Sequence, residues 1–391
     1  MKNYGKTKTA CYLGFVTQAI VANFVPLLFI AFNREYNVPI ASLALIPAVF
    51  YIVQLVTDFL CAKFRNINYR RSIILSEITS ALGLAGLAFL PQLFADPMVG
   101  ILLCVAVYAV GSGLIEVLCS PIIEACPFPN KEGMMSLLHS FYCWGAVGVI
   151  LGSTLFFRFF GLDNWRVLAC VWALVPLYNI FNFATCPIEP IVQDAESMSM
   201  GELLRDRKFW VFLILMVAAG ASESTMAQWT SAFAEASLGV DKSVGDLAGP
   251  CGFAFCMGLG RWWYGKKGQN LDLTSYMTGA GVLCAVAYLV ASLAPVPVVS
   301  LAACMVSGLA VGIMWPGSIS VTSARMPRGG TALFALLALA GDAGGTFGPS
   351  LVGLCTGSHD GDIQRGILAA TVFPVILVAS LLVIRSRRAA R

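Results

Sequence analysis

The sequence is poor in charged and titratable residues. Asp, Glu, Lys and Arg together make up only 12% of the 391 residues, and the chain contains only two histidines. Soluble globular domains carry about 25% charged residues, so this composition excludes an ordinary soluble protein. The sequence also contains no Gly-rich phosphate loop, no metal-ligand cluster and no Ser-His-Asp set. We therefore expect no enzyme activity, no cofactor and no metal site.

Cysteine is present, but its pattern is not that of a disulfide framework. The thirteen cysteines are scattered along the chain, and no Cys-x-x-Cys pair occurs. Most of them fall inside apolar stretches, where cysteine acts as a small apolar residue. We expect neither disulfides nor a cysteine metal site.

Apolar residues dominate the chain and form twelve stretches of membrane-spanning length. The hydrophobic fraction is 58%, and a bilayer core of about 30 Å needs about 20 apolar residues per helix. The sequence therefore predicts an all-α transmembrane protein. The predicted spans, numbered 1 to 12, are 10–32, 41–63, 72–94, 97–124, 134–161, 165–186, 209–237, 243–265, 272–294, 296–324, 330–357 and 363–385.

Basic residues between the spans collect on one side of the membrane. The even-numbered loops, both tails and the adjoining span ends hold 20 of the 25 Lys and Arg residues. Because cationic loops stay in the cytoplasm, this bias predicts cytoplasmic N and C termini and a plasma-membrane location. The net charge of +4 comes from loop ends that face anionic lipid headgroups, so we expect lipid contacts and no nucleic-acid partner.

The second half of the chain repeats features of the first. Ser112-Gly113-Leu114 with Pro121 in span 4 corresponds to Ser307-Gly308-Leu309 with Pro316 in span 10. The repeat predicts two six-helix bundles, 1–186 and 209–391, joined by a cytoplasmic linker, 187–208. We expect a short surface helix near Met200 in that linker. Duplicated bundles of this kind are typical of transporters whose site lies at the interface of the repeats.

Span 4 also carries a family resemblance. Gly111-Ser112-Gly113-Leu114-Ile115-Glu116 with Ser120-Pro121 resembles the major facilitator superfamily, and within it the fucose permease family of sugar–proton symporters. Leu138-His139-Ser140-Phe141 with Gly145, and Gly344-Gly345 with Pro349 and Gly353, resemble the same family's helices 5 and 11. Ser120 replaces an asparagine of that pattern. The resemblance implies the twelve-helix major facilitator fold and proton-coupled sugar transport.

Three acidic residues in the predicted spans are candidates for proton coupling. A charged group at the bilayer centre costs at least about 2.5–3.5 kcal/mol, so acids at this depth are functional candidates by default. Glu116 lies in span 4, Glu223 in the middle of span 7 and Asp342 in the middle of span 11. A carboxyl group shielded from water can bind a proton facing one side and release it facing the other. The alternative for Glu116 and Glu223 is a structural hydrogen bond to a neighbouring helix, and the alternative for Asp342 is a gate contact.

Polar and aromatic residues at similar depths are candidates for binding substrate. An amide can bind sugar hydroxyls and an indole ring can cover an apolar sugar face, as Gln228 and Trp229 would. We also expect the polar run from Ser222 to Trp229 to weaken span 7 and break its helix. The alternative for these residues is helix packing, and for His139 a helix-end hydrogen bond. The full set of substrate candidates is Gln18, Asn23, His139, Gln228, Trp229 and Trp315.

Two charged residues near the predicted cytoplasmic ends of spans 2 and 8 are candidate gate residues. Asp58 and Arg261 could lock the inner side of the bundle through contacts that break when it opens. The alternative for Arg261 is a snorkelling side chain that reaches the headgroup region.

These features together predict a monomeric secondary transporter that imports a small hydroxylated solute, such as a sugar, with protons. Sodium is the alternative coupling ion, because one carboxylate with neutral oxygen ligands would bind it too. An exporter of amphipathic metabolites or drugs, driven by a proton gradient, is the alternative function. A membrane enzyme or a receptor fits less well, because the acidic residues are single and the longest cytoplasmic segment is the linker.

Overall fold

The structure is a computed structural model, and its description covers residues 3–38, 40–43, 45–64, 67–189, 197–236, 239, 247–357 and 363–389. Within these residues the chain is helical and no strand occurs. An all-α fold is therefore confirmed. The predicted start of span 8 and the end of span 7, together with the loop between them apart from residue 239, lie outside the described residues.

The helices follow the predicted spans closely. The first eight are α1 (Tyr4–Asn23), α2 (Phe29–Tyr36), α3 (Ile40–Leu43), α4 (Leu45–Lys63), α5 (Tyr69–Leu87), α6 (Pro97–Ala125), α7 (Lys131–Phe160) and α8 (Trp165–Thr185). The remaining nine are α9 (Met200–Arg205), α10 (Arg207–Ala236), α11 (Gly252–Lys267), α12 (Leu273–Leu293), α13 (Pro297–Val311), α14 (Met314–Arg325), α15 (Gly330–Gly357), α16 (Ile363–Ala370) and α17 (Val372–Ala389).

Ten helical segments among the described residues are long and apolar enough to cross a membrane. The two predicted spans outside this set are nevertheless helical. The α5 helix is less apolar because it carries Arg70, Arg71 and Glu77, and α11 has only 16 described residues. The structure thus describes a multi-pass membrane protein, and the count of twelve spans stays a prediction.

Proline explains why three of the predicted spans are divided. A proline has no N–H to bond the carbonyl four residues earlier, so a helix bends or stops near it. Pro26 lies in the 3-10 turn between α1 and α2, and Pro316 follows the break between α13 and α14. Pro374 lies just after the break between α16 and α17.

The expected break in span 7 is wrong, because α10 runs unbroken through the whole polar run. Two hydroxyls at the ends of this polar region bond back to carbonyls of the previous turn. Ser222 Oγ donates to Ala218 O at 2.7 Å, and Thr230 Oγ1, just after the run, donates to Met226 O at 2.5 Å. These two hydroxyls are satisfied within the helix, so they do not open its backbone.

The chain forms two compact units. Unit 1 contains Met1–Pro127, Phe141–Ser197 and Gly330–Ala335, and unit 2 contains Phe128–Ser140, Met198–Gly329 and Leu336–Arg391. Each unit therefore takes most of its residues from one half of the sequence and a short segment from the other. The predicted division into two six-helix bundles stays a prediction.

Unit 1 has an apolar core built from the helices before and after its central α6. Phe24, Phe32, Tyr108 and Trp165 are almost completely buried in this core. Arg70 of α5 donates three hydrogen bonds to the last carbonyls of α8, those of Phe183, Ala184 and Cys186. A cation at this position satisfies the carbonyls that a helix C-terminus leaves open.

Unit 2 includes the first turns of α7, which pack directly on α11. Gly265 makes this possible, because a Cβ on it would lie 2.4 Å from Leu137 Cγ and 2.9 Å from Gly133 O. Ser136 Oγ also donates to Arg261 O at 2.7 Å. The beginning of α7 is thereby fixed against the helix that carries Arg261.

The surface helix predicted near Met200 is confirmed as α9. Ser199 and Glu202 form a capping box, in which each side chain bonds the backbone N–H of the other residue. This reciprocal bonding starts a short helix where apolar packing alone would not.

Candidate functional site

In unit 1, a carboxylate on α6 is bound by two amide side chains from other helices. Gln18 Nε2 of α1 donates to Glu116 Oε2 at 2.9 Å, and Gln54 Nε2 of α4 donates to the same oxygen at 2.7 Å. Gln18 and Gln54 are buried, and Glu116 is half-buried. We call Glu116, Gln18, Gln54 and Ser112 the amide cluster.

Ser112 sets the direction of one of these bonds. Its Oγ donates to Gln54 Oε1 at 2.9 Å, so the amide nitrogen of Gln54 is the end that faces Glu116. Ser112 and Glu116 are four residues apart, which places them on the same face of α6. Ser112 and Glu116 of α6 therefore bind the two ends of the same Gln54 amide, the oxygen and the nitrogen.

The predicted gate residue Asp58 lies beside this cluster. It is one helical turn after Gln54 on α4 and is fully buried. A Cβ on Gly113 of α6 would lie 3.1 Å from Asp58 Oδ1, so α4 and α6 approach closely here. Gly113 is three residues before the proton-coupling candidate Glu116, so Asp58 lies against the part of α6 that carries it; the gate role of Asp58 stays a prediction.

A second buried acid of unit 1 is Glu77 on α5. It is fully buried, and it accepts hydrogen bonds from Thr17 Oγ1 at 3.0 Å and from Asn179 Nδ2 at 2.8 Å. Asn179 also donates to Ala10 O at 2.9 Å. Glu77 thus joins α1, α5 and α8, and this arrangement favours a structural role.

In unit 2, the proton-coupling candidate Glu223 forms an ion pair with the gate candidate Arg261. Glu223 Oε2 lies 2.7 Å from Arg261 Nη2. The arginine side chain is 3% exposed and the glutamate side chain 18%, so the cation is buried and its partner is partly open. A buried charge has to be paired, and Glu223 supplies the opposite charge.

Arg261 also repairs the helix break that Pro316 creates. The missing N–H of Pro316 leaves the carbonyl of Gly312 without its helical donor. Arg261 Nε donates to Gly312 O at 3.0 Å, and Arg261 Nη1 donates to His139 O at 3.3 Å. One guanidinium therefore contacts α10, α7 and the break between α13 and α14.

Two tryptophans predicted to bind substrate have packing partners in unit 2. Trp229 Nε1 donates to Pro349 O at 3.0 Å, and its ring covers Gly353. Trp315 lies against Gly341, where an added Cβ would be 2.3 Å from the ring. These contacts favour the packing alternative for both rings.

The other predicted site residues are placed as follows. Asn23 Nδ2 donates to Ala19 O of its own helix at 2.9 Å, and His139 is buried beside Arg261. Gln228 is exposed on α10, and Asp342 is half-buried on α15. The structure brings Gln18 to Glu116 and Glu223 to Arg261, and it places Asn23 and Gln228 in neither group.

Reasoning from the sequence missed the part that Ser112 plays in the amide cluster and the pairing of Glu223 with Arg261. Gln54 and Ser112 complete the amide cluster, and the pairing of Glu223 with Arg261 defines the second site. The signal for the first was available, because the four-residue spacing of Ser112 and Glu116 on one helix face implies a shared partner. No sequence signal connects Glu223 to Arg261, which lie on different helices.

The chain is similar to known transporters in sequence pattern and in fold. A family model described as Major Facilitator Superfamily matches residues 10–388. The fold is similar to that of the Escherichia coli fucose:proton symporter FucP, with a TM-score of 0.80, 14% identity and coverage of 96% of this chain and 97% of that chain.

Two other solved structures share the fold. The proton:xylose symporter XylE has a TM-score of 0.75 and 13% identity, with coverage of 98% of this chain and 95% of that chain. A bacterial homologue of the iron transporter ferroportin has a TM-score of 0.78 and 12% identity, with coverage of 97% and 99%. No curated protein matches the sequence.

Proposed function

Because the chain belongs to the major facilitator superfamily, we propose that it is a secondary active transporter that works by alternating access. Its two predicted six-helix halves, 1–186 and 209–391, would open in turn to the two sides of the membrane. The proposal includes twelve spans, cytoplasmic termini and a monomer in the plasma membrane.

The coupling ion in this proposal is a proton, and Glu116 is the residue that carries it. The observation behind this assignment is the amide cluster, in which a carboxylate at membrane depth is bound by neutral donors from two other helices. Neutral donors allow the acid to gain or lose a charge without breaking an ion pair. Relative movement of α1, α4 and α6 would change the number of N–H donors on Glu116 and with it the affinity for the proton.

The solute in this proposal is small and hydroxylated, such as a sugar. Support comes from the polar side chains that the chain places at membrane depth, Gln18 in unit 1 and Ser224 and Gln228 in unit 2. Amides and hydroxyls of this kind can fix a polyhydroxylated ligand while apolar side chains enclose it. The fucose and xylose symporters named above share the fold at low identity, so they support the fold and leave the solute to experiment.

The test begins with the solute. Purified protein is screened by thermal shift against sugars, polyols, nucleosides and organic acids, because a ligand that binds only the folded state raises the melting temperature. The compound with the largest effect is then used in proteoliposomes with wild-type protein and Glu116→Gln. We expect Glu116→Gln to retain counterflow exchange and to lose accumulation driven by a pH gradient.

Retained uphill uptake in Glu116→Gln would remove Glu116 from the coupling step. Loss of both counterflow and accumulation would mean that the variant does not bind solute, which contradicts a role confined to coupling. Hydrophobic cations as the strongest hits in the screen would favour the alternative function, a proton-driven exporter.

A further inference from the structure

The ion pair between Glu223 and Arg261 indicates the charge of the solute. A guanidinium is always protonated in proteins, and the Arg261 side chain is only 3% exposed. Such a cation needs an anion in contact with it in every state of the protein. Glu223 provides that anion in the structure, at 2.7 Å.

The two partners are held very differently. Arg261 is fixed by its contacts with the carbonyls of Gly312 and His139, and its own carbonyl accepts from Ser136. Glu223 is 18% exposed and lies on the open side of the pair. Glu223 is therefore the partner that can leave, and Arg261 is the partner that stays.

Groups able to bind hydroxyls follow Glu223 on the same helix. Ser224 follows Glu223 on α10 and is half-buried, and Gln228 is one turn further and exposed. Gly345 of α15 packs close to Ser224, since a Cβ there would lie 3.0 Å from Ser224 Oγ. An anion binding at Arg261 could thus place hydroxyl groups against Ser224 and Gln228.

Building on the proposed transport function, we propose that the solute carries a carboxylate as well as hydroxyls, and that its carboxylate takes the place of Glu223 at Arg261. A carboxylate matches the two-pronged donor geometry of a guanidinium. A neutral sugar has no charge with which to replace Glu223. The solute class is therefore a small hydroxylated carboxylic acid, bound as its anion.

The exchange at Arg261 also involves a proton. Glu223 leaves the guanidinium as a carboxylate, and Glu116, the coupling residue proposed above, takes up one proton from the side on which the solute enters. The solute anion and the proton together add no net charge to the protein. Other titratable groups on the helices packed against α10 and α11 include Glu132 and His139 on α7, Tyr276, Cys284 and Tyr288 on α12, Cys304 on α13 and Asp342 on α15.

The test uses four carboxylates, acetate, lactate, glucuronate and galactonate, with glucose and galactose as neutral counterparts. The full-length protein is purified as wild type, Glu223→Gln and the double variant Glu223→Gln/Arg261→Gln. The matched control is Glu35→Gln, because Glu35 forms an ion pair with the more exposed Arg166 in unit 1. Melting temperatures are measured at constant ionic strength.

We expect glucuronate or galactonate to raise the melting temperature of Glu223→Gln more than that of wild type. This extra rise should be absent in Glu35→Gln and in the double variant, and glucose and galactose should not produce it. Equal shifts in wild type and Glu223→Gln would overturn the proposal. So would an extra rise that persists without Arg261, or no response to any of the four carboxylates.

A measurement on wild type covers the case in which Glu223→Gln does not fold. Binding of the best carboxylate should be stronger at pH 5.5 than at pH 7.5 and should take up about one proton per ligand, as expected when ligand and proton binding are linked. Binding that is equal at both pH values and takes up no proton would contradict the exchange. If neutral sugars bind and are accumulated with protons while carboxylates are not, this inference fails and the proposed transport function stands.

Discussion

The two compact units hold their acidic residues in different ways. In unit 1, Glu116 is bound by the neutral amides of Gln18 and Gln54. In unit 2, Glu223 is bound by the cation of Arg261. A carboxylate with neutral donors can change its charge on its own, whereas a carboxylate paired with a buried cation can leave only if another anion replaces it. The first arrangement suits the uptake of a proton, and the second suits the recognition of an anion.

The two units also differ in the packing of a repeated glycine pattern, because Gly145, Gly148 and Gly152 of α7 recur in the sequence as Gly341, Gly344 and Gly348 of α15. In unit 2, a Cβ on Gly344 of α15 would lie 2.1 Å from Val217 O of α10. At the corresponding position of α7 in unit 1, Gly148 has no atom within 4 Å of an added Cβ. The glycine pattern is repeated along the sequence, but close helix contact occurs in this pair only in unit 2.

The largest expected effect is on stability when the ion pair is broken from the glutamate side. Glu223→Leu leaves Arg261 buried without its anion, and we expect a loss of about 3–5 kcal/mol in the free energy of unfolding. The measurement is denaturant unfolding in detergent micelles. The double variant Glu223→Leu/Arg261→Met should recover most of the loss, because it removes both charges.

The control for this experiment is the exposed pair of unit 1. Glu35→Gln removes the charge that pairs with Arg166, whose side chain is 29% exposed, and keeps an oxygen to accept from Trp165 Nε1. Exposed pairs contribute about 0–1 kcal/mol. Equal losses in Glu223→Leu and Glu35→Gln would show that the buried pair has no special role.

The next largest effect concerns the repeated glycines. Gly344→Ala places a methyl group against the backbone of α10, and we expect a loss of about 1–3 kcal/mol from overpacking. Gly148→Ala adds a methyl group where there is space, and alanine favours the helix by about 0.5–1 kcal/mol. Denaturant unfolding of both variants measures the difference, and equal effects would contradict the packing difference between the units.

The smallest effect is expected within the amide cluster. Ser112→Ala removes the hydroxyl that orients Gln54, which corresponds to about 1 kcal/mol or roughly a fivefold change in an equilibrium constant. We expect pH-driven accumulation to fall by roughly that factor while counterflow is unchanged. The control is Ser76→Ala, whose hydroxyl bonds Ile73 O of its own helix at 2.7 Å. A similar loss of accumulation in Ser76→Ala would show that the effect is not specific to the cluster.

Much of the fold could be predicted from the sequence because membrane spans follow simple rules. Span length, the helix break near Pro316 and the capped helix that begins at Met200 all depend on local residues, and the structure contains each of them. The prediction failed for the polar run of α10, because residue composition does not reveal that Ser222 bonds back to Ala218.

The sites were predictable only in part. Depth along a span identified Glu116 and Glu223 as candidates, since both are acids far from the ends of their helices. Counting residues along span 8 placed Arg261 near the end of the span. Such a count gives the depth of the backbone and does not give the reach of a long side chain. The contact between Arg261 and Glu223 was therefore not predicted.

The most direct test of the central claim compares Glu116→Gln with wild type in proteoliposomes, with the best solute of the thermal-shift screen. A potassium gradient with valinomycin sets an inside-negative potential, and a pH gradient is applied separately. If Glu116 carries the coupling proton, Glu116→Gln loses uphill accumulation under both gradients and retains counterflow. Uphill accumulation in Glu116→Gln equal to that of wild type would contradict the account.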